Sequence, residues 1–244
     1  MTSVDVVIPV YNEEHVLAES VATLRQFLSE GFHHQWRILI ADNASTDGTL
    51  TVAQELAEEH SDVASLHIPE KGRGRALKAS WLGSAADIVS YMDVDLSTEL
   101  EAFPPLIEAI ASEGYHVATG SRLSSASHTT RSLKRETISR GYNLMVKALF
   151  FTRFSDAQCG FKALSRQAVR ELVPLIENNE WFFDTELLIL AEKAGYPVKE
   201  VPVRWLEDPD TRVNIRKTVW EDIRGLARLR LRRPRTRWPT MKRQ

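Results

Sequence analysis

Short apolar runs and helically spaced apolar positions alternate along the first half of the chain. Residues 4–10 are a nearly continuous run of mostly β-branched side chains and read as a buried strand. Val16, Leu17, Val21, Leu24 and Leu28 follow at helical spacing. Asn12 is a candidate N-cap for that helix, and Glu13 and Glu14 suit its positive end. The alternation then repeats, with strand 37–41, helix 50–60, strand 64–68, helix 76–85, strand 88–92, helix 103–113 and strand 116–119. Pro104 and Pro105 are tolerable in a first helical turn. Five strands separated by helices predict an α/β fold with a doubly wound, mostly parallel sheet.

The second half is less regular. Residues 124–130 are small and polar without periodicity, which predicts a mobile loop. The pattern then gives helix 133–151, a turn into a short strand over 156–164, and helices 166–175 and 187–194. A strand spans 198–205, a basic helix 213–231, and residues 234–244 read as disordered. The expected division is one α/β domain over 1–211, a basic helix over 212–233 packed on or beside it, and a tail over 234–244.

Charge adds an asymmetry to this picture. The 244-residue chain has a formal net charge of −2. Residues 212–244, however, hold twelve Lys and Arg against Glu221 and Asp222, a net of +10, which leaves −12 on the remainder. A basic tail on an acidic body points to a polyanionic surface, either anionic lipid or nucleic acid. No nucleic-acid-reading module accompanies the tail, so nucleic acid is disfavoured. The single Cys159 excludes a disulfide framework and a cysteine metal site. No apolar run approaches a membrane span, and a soluble or membrane-peripheral cytoplasmic protein is expected.

The candidate chemistry gathers at predicted strand ends. The run 88–92 leads directly into Asp93-Val94-Asp95. Ligands of open α/β sheets bind at the carboxyl ends of strands, and two hard oxygen ligands there suit Mg²⁺ or Mn²⁺ bridging to a phosphate. Turn and cap aspartates are the plain alternative. Asp42 can likewise serve a turn, or accept a hydrogen bond from a nucleotide base. The cationic segment Lys71-Gly72-Arg73-Gly74-Arg75 opens a helix, which suits either phosphate contact or an exposed turn. Arg135 and Ser139 are four apart and share a helix face that can bind a phosphate or simply face water. Trp181, Phe182 and Phe183 beside Asp184 and Glu186 can wall a pocket, or be core aromatics with Asp184 as a cap.

Four segments occur in one order: Val-Ile-Pro-Val-Tyr-Asn-Glu-Glu (7–14), Ala-Asp-Asn-Ala-Ser-Thr-Asp-Gly-Thr (41–49), Lys-Gly-Arg-Gly-Arg-Ala (71–76) and Met-Asp-Val-Asp-Leu-Ser (92–97). Together they resemble the motifs of glycosyltransferase family 2, a GT-A fold. Gly-Ser-Arg (120–122), the Arg135–Asn143 segment, Asp156-x-x-Cys-Gly-Phe-Lys and Phe-Asp-x-Glu (183–186) are similar to the dolichyl-phosphate glucosyl- and mannosyltransferase branch. The resemblance covers about residues 4–220.

It implies that Pro9, Tyr11, Glu13, Asp42 and Lys71 hold the donor nucleotide. Asp93 would lie on the ribose or sugar side, Asp95 on the metal, and Arg122 near the donor phosphates. Arg135 and Ser139 would grip the acceptor phosphate. Ser97 stands where the mannosyl enzymes usually have a metal-assisting glutamine, and serine is the weaker ligand.

The implied reaction is inverting transfer from a nucleotide sugar, UDP-glucose ahead of GDP-mannose, to a polyprenyl or dolichyl phosphate. Catalytic residues would be Asp93, Asp95 and Asp184, with Asp184 a candidate base or acceptor-site residue. The basic C-terminus would dock on an anionic membrane surface. Two other readings are a family 2 transferase acting on a soluble or cell-wall hydroxyl, and a nucleotide-sugar-binding protein without turnover. A sugar-nucleotide pyrophosphorylase would place its glycine-rich loop after the first strand, where this chain has Tyr-Asn-Glu-Glu.

Overall fold

A computed structural model describes residues 1–124, 127–130, 133–206 and 215–231. The expected alternation is present in the first half: β1 (Ser3–Val10), α1 (Leu17–Gly31), β2 (Gln35–Asn43), α2 (Thr49–Glu59), β3 (Val63–Ile68), α3 (Arg73–Gly83), β4 (Ile88–Met92), α4 (Phe103–Ala111) and β5 (Val117–Ser121). There follow β6 (His128–Thr130), α5 (Leu133–Phe150), β7 (Phe161–Ser165), α6 (Arg166–Leu172), α7 (Phe183–Lys193), β8 (Val198–Pro202), β9 (Arg204–Leu206) and α8 (Ile215–Leu231).

Seven strands form one sheet in the order β3-β2-β1-β4-β7-β5-β8. Period-two alternation divides the core between its faces. Val7, Leu39, Val89 and Tyr91 pack with Leu77, Trp81, Leu172 and Leu188 on one side. Val6, Ile8, Ile38 and Met92 pack with Leu17, Leu24, Phe103 and Leu106 on the other. Both faces are covered, which is why these strands read as apolar runs rather than as alternating ones.

As expected, the turn over 156–164 leads into a short strand, β7, which inserts between β4 and β5 and runs antiparallel to both in an otherwise parallel sheet. Three other expectations are corrected. Asn12 does not cap α1, which begins at Leu17. Its side chain instead accepts from the Thr46 amide at 2.8 Å and ties the loop after β1 to the loop after β2. Residues 128–130, part of the expected mobile loop, are a strand paired with β9, and the expected strand 198–205 breaks at Val203 into β8 and β9. Residues 207–214 and 232–244, including the ends of the expected basic helix and the tail, lie outside the described residues.

The topology explains where a site must form. From β1 the chain moves outward through β2 and β3, then returns to place β4 on the other side of β1. Strand order reverses there, so the crevice lies beyond the carboxyl ends of β1 and β4. Because β7 is antiparallel, its beginning, not its end, reaches the same edge: Met92 at the end of β4 pairs with Phe161 at the start of β7. Antiparallel insertion therefore brings the segment 156–162 to the crevice. Asn12, Ala44 and Leu96, in the loops after β1, β2 and β4, all adopt left-handed backbone, at φ 58°, 63° and 48°. Non-glycine residues there carry strain that the surrounding hydrogen bonds must hold, a feature common at functional rims.

Candidate active site

The end of β1 presents Pro9 and Tyr11, both half-buried. Lys71, at the start of the loop before α3, places Nζ 3.3 Å from the centroid of the Tyr11 ring. Two residues sixty apart in sequence thus form one cation–π pair at the rim. Glu13, also half-buried, receives the amides of Val16 and Leu17 on its carbonyl, at 3.2 and 3.0 Å. Its own amide donates to Thr49 Oγ1 at 2.8 Å, a second tie between the first two loops.

Asp42 ends β2 almost wholly buried. Its Oδ1 accepts from the Ser45 amide at 3.2 Å, and its Oδ2 lies 2.7 Å from Nδ1 of the exposed His67 on β3. His67 carries no signal in the sequence beyond its place next to the end of β3.

The deepest part of the site is a charge-balanced quartet. Arg73, in the first turn of α3, bridges two carboxylates, with Nη2 2.6 Å from Asp93 Oδ1 and Nη1 2.7 Å from Asp184 Oδ2. Lys162, completely buried on β7, pairs with Asp184 Oδ1 at 3.0 Å. The Tyr91 hydroxyl donates to the same oxygen. Burial alone would raise the Asp184 carboxyl. Lys162 and then Arg73 outweigh it and hold the group below the usual carboxylate range. Asp93 goes the other way: desolvation raises its carboxyl against the pull of Arg73, and the neighbouring Asp95 adds to the rise. Arg73 also stacks near the rings of Tyr91 and Trp181, at 5.0 and 4.8 Å. Trp181 itself is 40% exposed, at the mouth.

Gly160 is fixed by this arrangement. A Cβ there would collide with Asp93 Oδ2 and lie 2.9 Å from Arg73 Nη2. Asp95 is exposed, and its Oδ1 accepts from the half-buried Ser97's amide at 3.0 Å in a tight turn. Arg122 follows β5 and makes a two-pronged pair with the fully buried Asp156, at 2.8 and 3.0 Å. Burial opposes ionisation of Asp156, but Arg122 wins and takes the carboxyl down to about 2. Glu200 of β8 fixes this segment by accepting from the Ser155 amide at 2.8 Å.

The α3 N-terminus is less open than a phosphate cradle would be. The Arg75 amide is already taken by the Asn179 carbonyl at 3.0 Å, and the Gly72 amide by Asn43 Oδ1 at 3.1 Å. Gly74 is required because a Cβ would meet Phe183 at 2.8 Å.

The structure therefore brings Tyr11 with Lys71, and Asp93 with Asp184, into direct or one-residue contact. Ser139 lies on α5 with its hydroxyl buried and unpaired among the described residues. The side chain of Arg135 lies outside the described residues. Arg73 and Lys162 were missed as site residues. Lys162 carried one signal, a lone charge in the apolar run Phe161–Ser165.

No group of three or more His, Cys, Asp or Glu that could hold a metal occurs among the described residues. A divalent ion of the Mg²⁺ class nevertheless needs only one or two carboxylates when substrate phosphates and water complete its shell. The exposed carboxylate of Asp95, held by the Ser97 amide, fits that requirement.

A family model described as Glycosyl transferase family 2 matches residues 5–173. Glycosyltransferase AglD of Haloferax volcanii is 36% identical over 229 residues, which cover 92% of this chain and 36% of that protein. Dolichyl-phosphate beta-glucosyltransferase ALG5C of Trichomonas vaginalis is 31% identical over 220 residues, covering 86% of this chain and 65% of that protein. The chain thus spans between about one third and two thirds of the length of these curated relatives. Among solved structures, glucosyl-3-phosphoglycerate synthase from Mycobacterium tuberculosis, in complex with Mn²⁺, UDP-glucose and phosphoglyceric acid, superposes with a TM-score of 0.71. It covers 94% of this chain and 79% of that one at 18% identity, and so establishes the GT-A fold alone.

Proposed function

Because the chain belongs to glycosyltransferase family 2, we propose that it transfers a hexose, with inversion, from a nucleotide sugar to a polyprenyl or dolichyl phosphate. UDP-glucose is the favoured donor. The observation that carries the acceptor class is the state of Asp184. Its carboxylate is buried, bonded to Arg73, Lys162 and Tyr91, and held below the usual range. Such a group is a poor proton acceptor. A sugar hydroxyl needs a base to become a nucleophile, whereas a phosphate monoester is already largely ionised at neutral pH. The relatives named dolichyl-phosphate beta-glucosyltransferase support the same class.

In this reading Tyr11, Lys71 and Asp42 seat the nucleotide, and Pro9 and Glu13 shape the loop around it. Asp93, locked by Arg73 and pressed on Gly160, faces the ribose and sugar. Asp95, assisted by Ser97, would hold Mg²⁺ or Mn²⁺, which when bound neutralises the departing diphosphate. Arg122, oriented by its pair with Asp156, stands near the donor phosphates, and Arg135 and Ser139 receive the acceptor phosphate. An acceptor oxygen attacks the anomeric carbon opposite the leaving diphosphate. The carbon–oxygen bond to the diphosphate breaks as the new one forms, and no proton need move. Asp184 acts as a positioning residue, because it orients Arg73 and through it Asp93. Catalysis then rests on placement and charge stabilisation.

The test is a transfer assay. Purified chain, Mg²⁺ or Mn²⁺ and a polyprenyl phosphate are incubated with labelled UDP-glucose, GDP-mannose or UDP-N-acetylglucosamine, and label extracted into organic solvent is counted. Metal-dependent label from UDP-glucose, reduced by about 10²-fold or more in Asp95→Asn, is expected. Label passing only to a soluble hydroxyl acceptor would replace the lipid reading, and no transfer from any donor would favour a binding protein.

A further inference from the structure

The inner side of α8 buries a carboxyl group. Asp222 is 3% exposed and shares a helix side with Leu226 and Leu229, which face the core. The helix packs so closely there that a Cβ on Gly225 would collide with the Phe182 ring. Asp222 Oδ2 accepts from Gln158 Nε2 at 3.0 Å. Its Oδ1 is buried and has no hydrogen-bond partner among the described residues. A buried carboxyl with one oxygen unmatched is costly when charged and much less so when protonated.

Gln158 connects this group to the crevice. Its amide donates to Asp156 Oδ1 at 3.1 Å, and the preceding Ala157 amide donates to Asn143 Oδ1 of α5 at 2.8 Å. Asp156 in turn makes the two-pronged pair with Arg122 and also accepts from the Arg122 amide at 3.1 Å. An unbroken run of hydrogen bonds thus leads from the inner side of α8, through Gln158 and Asp156, to the Arg122 guanidinium.

We propose that Asp222 is a positioning residue for Arg122: protonated, it seats α8 against Gln158 and so holds Asp156 and Arg122 in place, and its ionisation loosens that seat. The inference deepens the proposed function. It rests on that reading for what Arg122 does in transfer, and not for the coupling itself.

The surrounding charges favour the neutral form. Glu221 of α8, Asp184 of α7 and Tyr142 of α5 face Asp222, and among the described residues only the Gln158 hydrogen bond favours its charged form. Desolvation, and Glu221 after it, push the carboxyl up to about 7. The other groups on the route keep their charge near neutrality. Against the cost of burial, Arg122 takes Asp156 down to about 2, and Lys162 with Arg73 holds Asp184 below the usual range. Burial pushes the Tyr142 hydroxyl well up. A value higher in the docked helix than in a released one means that docking is favoured at low pH and weakens as pH rises toward 7. For a carboxyl moving between about 3.8 when released and about 7 when docked, release should become at least about tenfold more frequent from pH 5 to pH 7 and then level off.

The full chain would be followed by amide hydrogen exchange at pH 5, 6, 7 and 8, resolved by NMR. Rates are read as the ratio of wild type to Asp222→Asn, so that the intrinsic pH dependence of exchange cancels. The asparagine keeps an acceptor for Gln158 and cannot ionise. At Arg122, Ala157 and Gln158 the ratio should rise at least about tenfold from pH 5 to pH 7. Asp222→Leu, which removes the acceptor, should exchange faster than Asp222→Asn at every pH. If the leucine variant does not fold, the asparagine ratios decide alone. In transfer from UDP-glucose, the rate of Asp222→Asn relative to wild type should rise by up to about tenfold between pH 6 and pH 8, as the neutral fraction of Asp222 falls.

An exchange ratio that is flat with pH would overturn the proposal, as would one that rises along α8 but not at 156–158 and Arg122. So would transfer by Asp222→Asn that tracks the wild type at every pH. Absence of transfer from any donor refutes the proposed function instead, and the exchange ratios still decide the coupling.

Discussion

Replacing Lys162 by Met tests whether the buried quartet is held by charge balance. Methionine is similar in length and creates little cavity, so the main change is electrostatic. Two cations, Arg73 and Lys162, face two carboxylates, Asp93 and Asp184. Without Lys162 the group carries one uncompensated negative charge next to a side chain that is only 3% exposed. Removing one partner of a buried pair typically costs about 3–5 kcal/mol. Arg73 and Tyr91 still contact Asp184, which places this case near the lower end, about 3 kcal/mol. Against a typical total of roughly 5–15 kcal/mol, the variant should fold. The double variant Lys162→Met with Asp184→Asn removes both charges and should recover about 1–2 kcal/mol of the loss.

The pH dependence has a defined sign. In the wild type the folded-state carboxyl of Asp184 is lowered. Its contribution is therefore present above the unfolded value near 3.8 and fades as pH falls through the lower folded value. In the single variant burial is no longer outweighed and the carboxyl rises. The cost should then be largest at pH 7–8 and shrink as pH falls toward about 5. Urea unfolding of the wild type, the single variant and the double variant across that range measures both effects. A single-variant cost under about 1 kcal/mol, or a cost independent of pH with no recovery in the double variant, would refute the charge-balance argument.

Gly160→Ala should reduce transfer strongly at modest cost in stability, about 1–3 kcal/mol, because its methyl group displaces Asp93 and not a flexible surface chain; kinetics paired with thermal melts separate the two. Asp222 of α8 is raised to about 7, by desolvation first and by Glu221 next. A folded-state value above the unfolded one means that stability is lost as pH rises toward 7, so the melting temperature of the wild type should fall between pH 5.5 and 8 by more than that of Asp222→Asn. Arg122→Lys cannot reproduce the two-pronged contact with Asp156, and transfer should drop at least about tenfold while the fold persists.

The first half of the fold was legible because each strand there is buried on both faces and each helix is amphipathic, so local pattern and tertiary role agree. The antiparallel β7 was not legible as such. Residues 161–165 look like any short buried strand, and direction within a sheet is set by connections that local pattern does not record. The consequence reached the site. The motif at 156–162 was visible as residues, but the pairing of Lys162 with Asp184 depends on β7 entering between β4 and β5 with its beginning at the crevice. Similarly, Asp93 and Asp95 were visible at the end of an apolar run, whereas Arg73 looked like one of three cations in a basic loop. Only the packing of the 177–180 segment over α3 shows that Arg73 turns inward while Arg75 pairs with Glu70 outside.

Charge accounting at the crevice also bears on the order in which ligands enter. Arg73 and Lys162 are matched by Asp93 and Asp184, Arg122 is matched by Asp156, and Arg75 by Glu70. Among the described side chains at the rim, Lys71 is the cation without a carboxylate partner, resting instead on the Tyr11 ring. In the proposed function a nucleotide diphosphate brings more negative charge than Lys71 can offset, and it would approach the exposed carboxylate of Asp95. Without a counter-ion the two repel, at close range and in a partly desolvated crevice where repulsion is poorly screened. The chain's own residues therefore favour entry of the nucleotide together with a divalent cation over entry of the nucleotide alone. Calorimetric titration with UDP should show binding weakened at least about tenfold when the cation is chelated. Asp95→Asn removes the repulsion along with the ligand, so in that variant the chelated and metal-loaded affinities should converge. Equal affinity with and without cation in the wild type would show that the described side chains already balance the diphosphate, and the accounting would be wrong.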